Sequence, residues 1–258
     1  MLKAIRISVL LAILFFVAVG AWLDRYRTTS WQHTVWVGAF PLNADGSAAA
    51  AGYLAGLREQ DLAPINAFVR REAQRYGVAL DEPVRLLLYP APRSLPPTLA
   101  PRAGIADRML FVLQLRWYRW RVLQALTRSR PQIALFLLYH DAARPLSLPH
   151  SLGLQRGLMG LVNLYAAPAQ DAQNNVVIAH ELLHTFGATD KYAPDSDAPL
   201  YPQGYADPQQ VPRYPQLRAE LMAGRIALSA TSQIMPESLD QVLIGRATAS
   251  EIGWVRGP

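Results

Sequence analysis

Two histidines one helical turn apart, with a glutamate next to the first, stand at His180-Glu181-Leu182-Leu183-His184. On an α-helix, side chains at i and i+4 share a face, so both imidazoles can reach one metal ion. Glu181 sits beside the pair, where a carboxylate takes a proton from metal-activated water and later delivers it to a leaving amine. The spacing alone does not decide, because with ordinary residue frequencies it arises in on the order of one chain in a hundred. Its setting adds weight. Asp171 is a candidate N-cap, Val176, Val177, Leu182, Leu183 and Phe186 supply apolar packing, and Gly187 can end the helix in a left-handed turn. A hydrolytic zinc site takes three protein ligands and leaves one position open. The chain turns at Gly187 and brings back an acid, Asp190, three residues on. The expected set is therefore His180, His184 and Asp190 around Zn2+, with Glu181 as general base and then acid.

Read in full, the segment is HExxHxxGxxD, and it resembles the metzincin signature HExxHxxGxxH with aspartate in place of the last histidine. Its nearest variant is that of the snapalysin-type bacterial metalloproteases, which carry this aspartate and a tyrosine two residues later. Asp190-Lys191-Tyr192 matches that pattern. Metzincins also have a methionine turn beneath the metal, and Ala219-Glu220-Leu221-Met222-Ala223-Gly224 resembles its snapalysin form. Ile234-Met235-Pro236 is a second candidate for that turn. Met222 is preferred because a C-terminal helix is then expected after it. The resemblance implies a metzincin-like zincin fold, a zinc cofactor and hydrolysis of a peptide or protein substrate. It also has departures. Thirty-one residues separate Asp190 from Met222, no tyrosine closely follows Met222, and the N-terminal region carries no recognisable propeptide pattern. In gluzincin-type zinc proteases a glutamate from a later helix completes the site, which leaves Glu220 as a competing third ligand.

Aspartate in place of histidine leaves a zinc site one charge less positive. Water activated there is expected to be less acidic than with three histidines.

The elements that must position these residues follow from apolar periodicity. Strands are expected at 34–40, 84–89, 133–139 and 160–165, and helices at 48–76 (with Pro64 starting a second one), 105–127, through the motif, and at 237–252. That order predicts an α/β domain over 31–258: a twisted, mostly parallel sheet with helical crossovers and a last strand running antiparallel at an edge. Residues 193–216 hold six prolines, and four tyrosines lie within 192–214, so a long ordered loop is expected there as one wall of a substrate cleft. His140-Asp141 reads as a structural histidine in preference to a partner of the metal ligands.

Residues 7–23 carry no charge and are preceded by Lys3 and Arg6. Such a run is at the short limit of the roughly 17–25 residues that span a bilayer. Residues 1–27 are accordingly expected to be an uncleaved signal anchor, a transmembrane helix; a cleaved signal peptide ending near Val19-Gly20-Ala21 is the alternative. Positive charge on the short N-terminal side places the remainder outside, in a bacterial cell in the periplasm at the inner membrane, or secreted if the segment is cleaved. With no cysteine, disulfides and thiolate chemistry are excluded, and the net charge of +6 is too mild for a nucleic-acid footprint. A reading of another class is a non-catalytic, membrane-anchored periplasmic protein that keeps the metal fold for binding or assembly. The sequence does not give the oligomeric state.

Overall fold

A computed structural model describes residues 2–100, 102–144 and 148–255, with some side chains of the N-terminal helix left aside. Five strands make the central sheet: β1 (Val35–Asn43), β2 (Val84–Leu88), β3 (Ile133–His140), β4 (Leu152–Leu154) and β5 (Met159–Tyr165). Their order is β2-β1-β3-β5-β4, and every neighbouring pair is parallel except β4 with β5. β3 reads IALFLLYH because both faces of this central strand are covered, so apolar residues need not alternate with polar ones.

Helices lie on both faces. α1 (Leu2–Thr29) precedes the sheet; α2 (Ala48–Gly56) and α3 (Ala63–Arg75) connect β1 to β2, and α4 (Ile105–Gln124) connects β2 to β3. Pro64 stands in the first turn of α3, where a missing N–H costs nothing. Ile133, Leu135, Leu137 and Tyr139 of β3 pack with α2, α3 and α5 (Asp171–Phe186) in one cluster. Ala134 and Phe136 face the other way, onto Phe111, Leu115 and Tyr118 of α4. The two crossovers run in opposite directions along the sheet with their helices on opposite faces, the arrangement that keeps parallel connections right-handed.

The mixed α/β class and the mostly parallel sheet agree with expectation, and three details differ. β5, expected as the antiparallel strand, is parallel; the antiparallel edge is β4, whose Leu152-Gly153-Leu154 is too short to show periodicity. The helix expected over 237–252 is instead a 3-10 turn at Leu239–Gln241, β9 (Val242–Leu243) and a short α6 (Arg246–Glu251). Gly245 interrupts the run, and pairing of β9 with β6 (Ala219–Glu220) overrides its helical periodicity. A small hairpin, β7 (Ile226–Ala227) and β8 (Gln233–Ile234), lies between β6 and β9 in the chain.

Among the described residues no helix is long and apolar enough to cross a membrane, and the anchor expected over 1–27 lies partly outside them. The loop 193–216 is ordered by its own contacts. The Tyr205 and Tyr214 hydroxyls meet at 2.9 Å, and Gln216 donates to the carbonyls of Asp207 and Arg213.

Candidate metal centre

α5 carries the two histidines and the glutamate. It begins after a 3-10 turn at Pro168–Gln170, so the N-cap is Gln170 and not Asp171. The Asp171 carboxylate accepts instead from the Tyr53 hydroxyl at 2.6 Å, fixing α5 to α2. At its other end Gly187 has φ 103°, as expected of a left-handed terminator. Ala188 N–H donates to the Leu183 carbonyl and Gly187 N–H to that of His184, the paired bonds of a Schellman ending. A Cβ at 187 would run into the Gln155 side chain, whose amide donates to the Phe186 carbonyl.

That ending aims the His184 imidazole, and a distant carbonyl at Leu221 aims that of His180. His184 Nδ1 donates to the Ala188 carbonyl at 2.8 Å and His180 Nδ1 to the Leu221 carbonyl at 2.9 Å. A carbonyl only accepts, so each ring carries its proton on Nδ1 and presents a bare lone pair at Nε2. The two Nε2 atoms lie 3.1 Å apart, and Asp190 Oδ1 lies 3.2 Å from each. Three acceptors thus converge with no hydrogen among them in the neutral-imidazole state. That arrangement is repulsive unless a cation is shared between them. Ligand atoms around a tetrahedral zinc with bonds of roughly 2.0–2.1 Å lie about 3.3–3.4 Å apart, so the spacing and the N,N,O donor set fit such an ion.

Electrostatics agree with this chemistry. Burial opposes charge on His180, but the Asp190 and Glu181 carboxylates and the Leu221 carbonyl outweigh it and raise its pKa. Burial also works against the Asp190 carboxylate, yet the two imidazoles hold it well below the usual range. Glu181 is buried, which raises its pKa against the pull of both histidines. Its Oε2 is buried without a hydrogen-bond partner. His180, Glu181 and His184 offer ligand atoms within 4.8 Å of one another.

Glu220 is occupied elsewhere. Its Oε2 accepts from the Met222 and Ala223 N–H groups and its Oε1 from Gly245 N–H and the Thr248 hydroxyl. Burial raises its pKa despite these donors. The carboxylate is the clasp of the turn 220–224, which ends at Gly224 with φ 67°. That turn aims Leu221 O at His180, and Met222, fully buried, accepts through its carbonyl from Lys191 N–H at 2.9 Å. His140 meets Asn163 Oδ1 at 2.9 Å on the sheet, a satisfied structural histidine.

Two contributions escaped the sequence reading. Gly153 of β4 lies against α5, where a Cβ would meet His184 Cβ at 2.5 Å and the Glu181 carbonyl at 2.6 Å. A glycine in a three-residue edge strand gives no recognisable pattern. The second is Glu251 of α6. It accepts from Thr189 N–H and the Thr189 hydroxyl, and both its oxygens lie 2.8 Å from Lys191 Nζ. Asp190 is therefore held between two residues clamped to one carboxylate. Beside His180 a cavity of about 580 Å³ opens, bounded also by Val177, Tyr192, Pro194, Leu221 and Met235.

The chain matches no protein-family model and no curated protein.

Proposed function

We propose that this protein is a zinc-dependent metallopeptidase of metzincin-like design, with His180, His184 and Asp190 holding the ion. The observation that carries the reading is the convergence of two Nε2 lone pairs and Asp190 Oδ1 within 3.2 Å. Bound by these three residues, zinc would supply the Lewis acidity for hydrolysis.

The chain's own residues do the rest. Glu181 accepts the proton of the attacking water and returns it to the leaving nitrogen, a role suited to a buried carboxylate with raised pKa. The Leu221 and Ala188 carbonyls keep both histidines in the ligating tautomer. Met222 forms the apolar floor. β4 is the free edge of the sheet and touches the motif helix through Gly153, so an extended peptide can add to it as a strand. That edge is what favours a peptide as substrate.

We also propose that α1 anchors the domain to a membrane from outside the cytoplasm. The support is the uncharged run 7–23 together with exposed Leu10, Leu11, Leu14 and Phe15 on that helix. Metal analysis of the purified protein, then peptide cleavage by wild type and Glu181→Ala, tests the central reading. Stoichiometric zinc and cleavage abolished in the variant are expected. Absence of zinc would remove both the ligand set and the reaction.

A further inference from the structure

α4 packs on the sheet through Phe111, Leu115 and Tyr118, all buried. Its opposite face should be polar if water covers it. It is not. Ile105, Met109, Leu113, Trp117 and Trp120, spaced by four, four, four and three, form a stripe 82, 66, 63, 57 and 56% exposed. Two tryptophans on one exposed stripe are costly in water and suited to a polar–apolar boundary.

Charge singles out the same region. Residues 93–130 contain eight arginines and one acid, a net +7, whereas the whole chain carries +6. The remaining 17 basic and 18 acidic residues therefore sum to −1. The protein's entire positive excess lies on α4 and its flanking loops. Arg121 stacks over Trp117 at 4.8 Å and reaches Ser94 Oγ, so charge and apolar surface are interleaved. The carboxyl-terminal end of α1 is close by: Thr28, fully buried, bounds one cavity of about 450 Å³ with Arg116, Arg119 and Trp120. The carboxyl-terminal end of α1 and the last tryptophan of the α4 stripe thus border one cavity.

We propose that α4 is an interfacial helix that lies on an anionic lipid surface, its stripe in the acyl boundary and its arginines among the headgroup phosphates. Arginines framing an apolar strip with tryptophans are the composition of a helix lying in a membrane interface. A second copy of the chain is a poorer occupant, because a twofold contact through this face sets +7 against +7. The inference does not depend on the hydrolase reading.

The chain has no cysteine, so a single introduced thiol reports one place. Leu113→Cys and, as control, Ala230→Cys on the β7–β8 hairpin are labelled with an environment-sensitive fluorophore in the full chain. Each is reconstituted in phosphatidylcholine vesicles with or without phosphatidylglycerol. The expected result is a several-fold emission rise at position 113 with phosphatidylglycerol, reversed by high salt and quenched by brominated acyl chains, with none at 230. Circular dichroism confirms that both variants fold. Emission at 113 that follows 230 in every vesicle overturns the proposal. So does an equal rise in neutral vesicles, which removes the role of the arginines. A rise with protein concentration in lipid-free detergent would mean that a second copy covers the face, and would overturn it as well.

Discussion

α5 and α4 cover opposite faces of one sheet and are built on opposite terms. α5 turns its polar side chains towards partners in the protein: Asn174 to Tyr165, Asn175 to Asp61, and both imidazoles to carbonyls. α4 turns an apolar stripe outward and has no protein partner for it among the described residues. A helix whose asparagines and histidines are turned to protein partners is a device for holding geometry. A helix whose apolar groups are unassigned is a surface waiting for a solvent other than water. The contrast teaches that exposure in this molecule has to be read chemically, side by side with charge.

The comparison is broken most severely at Glu181. Glu181→Gln keeps the size of the side chain and leaves the three ligands in place, so zinc content is expected to be unchanged. Peptide hydrolysis is expected to fall by roughly 10²–10⁴-fold, the usual contribution of a general base. Zinc measured by mass spectrometry beside kcat/KM checks both halves, and unchanged hydrolysis removes Glu181 from the mechanism.

Next in size are changes to what α5 rests on. Leu182 is fully buried, and Leu182→Ala should cost about 2–5 kcal/mol in denaturant unfolding. Glu251→Gln leaves Lys191, only 3% exposed, without its counter-charge. Breaking a buried pair from one side costs on the order of 3 kcal/mol, and Glu251 is itself partly exposed, so the lower end of that scale applies. Here the loss should be local as well as global. Asp190 sits between the two clamped residues, so zinc affinity should fall in Glu251→Gln while Leu182→Ala changes stability more than affinity. Equal zinc affinity in wild type and Glu251→Gln would detach the clamp from the site.

The same clamp gives a pH dependence. Burial opposes the Glu251 charge, but Lys191 and the Thr189 donors outweigh it and lower its pKa below the ordinary 4.5. A carboxylate depressed in the folded state contributes stability that is full above its unfolded pKa and lost as pH falls through the folded one. Unfolding free energy should therefore decline below about pH 4.5. Glu251→Gln should flatten that decline; the same slope in the variant would assign it to other carboxylates.

How much of this was legible in sequence divides along the same line. His180, Glu181, His184, Gly187 and Asp190 lie within eleven consecutive residues, so one helix and its left-handed ending bring them near one another. β1, β2, β3 and β5, and the helices α2 to α5, follow from periodicity. What stayed hidden is what only tertiary contact creates. Gly153 matters because β4 happens to lie on α5, and Glu251 because α6 returns 60 residues after Lys191. Glu220 stood as a competing ligand because a lone acid in sequence does not reveal the four donors that occupy it. The β9 segment reads as helix because pairing with β6 is invisible to local pattern. On α4 the interleaved Arg116-Trp-Tyr-Arg-Trp-Arg121 reads in sequence first as one packed aromatic face with solvated arginines and only second as a membrane-surface contact, because core and exposed faces are both apolar.

The smallest effect discriminates best between the two helices. Gly153→Ala forces a methyl against His184 Cβ and the Glu181 carbonyl, and overpacking of that kind costs about 1–3 kcal/mol. Leu113→Gln on α4 changes a side chain of similar bulk at a site 63% exposed, with no core contact to lose. Its effect on unfolding should stay within about 0.5 kcal/mol, and removing exposed apolar area makes a slight gain as reasonable as a slight loss. Zinc content and hydrolysis of a short soluble peptide should also be unchanged, because α4 lies across the sheet from α5. If Leu113→Gln instead destabilised the chain as much as Gly153→Ala, the stripe would already be packed against protein. α4 would then be a second structural helix like α5, and the distinction between a helix that holds a site and a helix that meets a surface would fall.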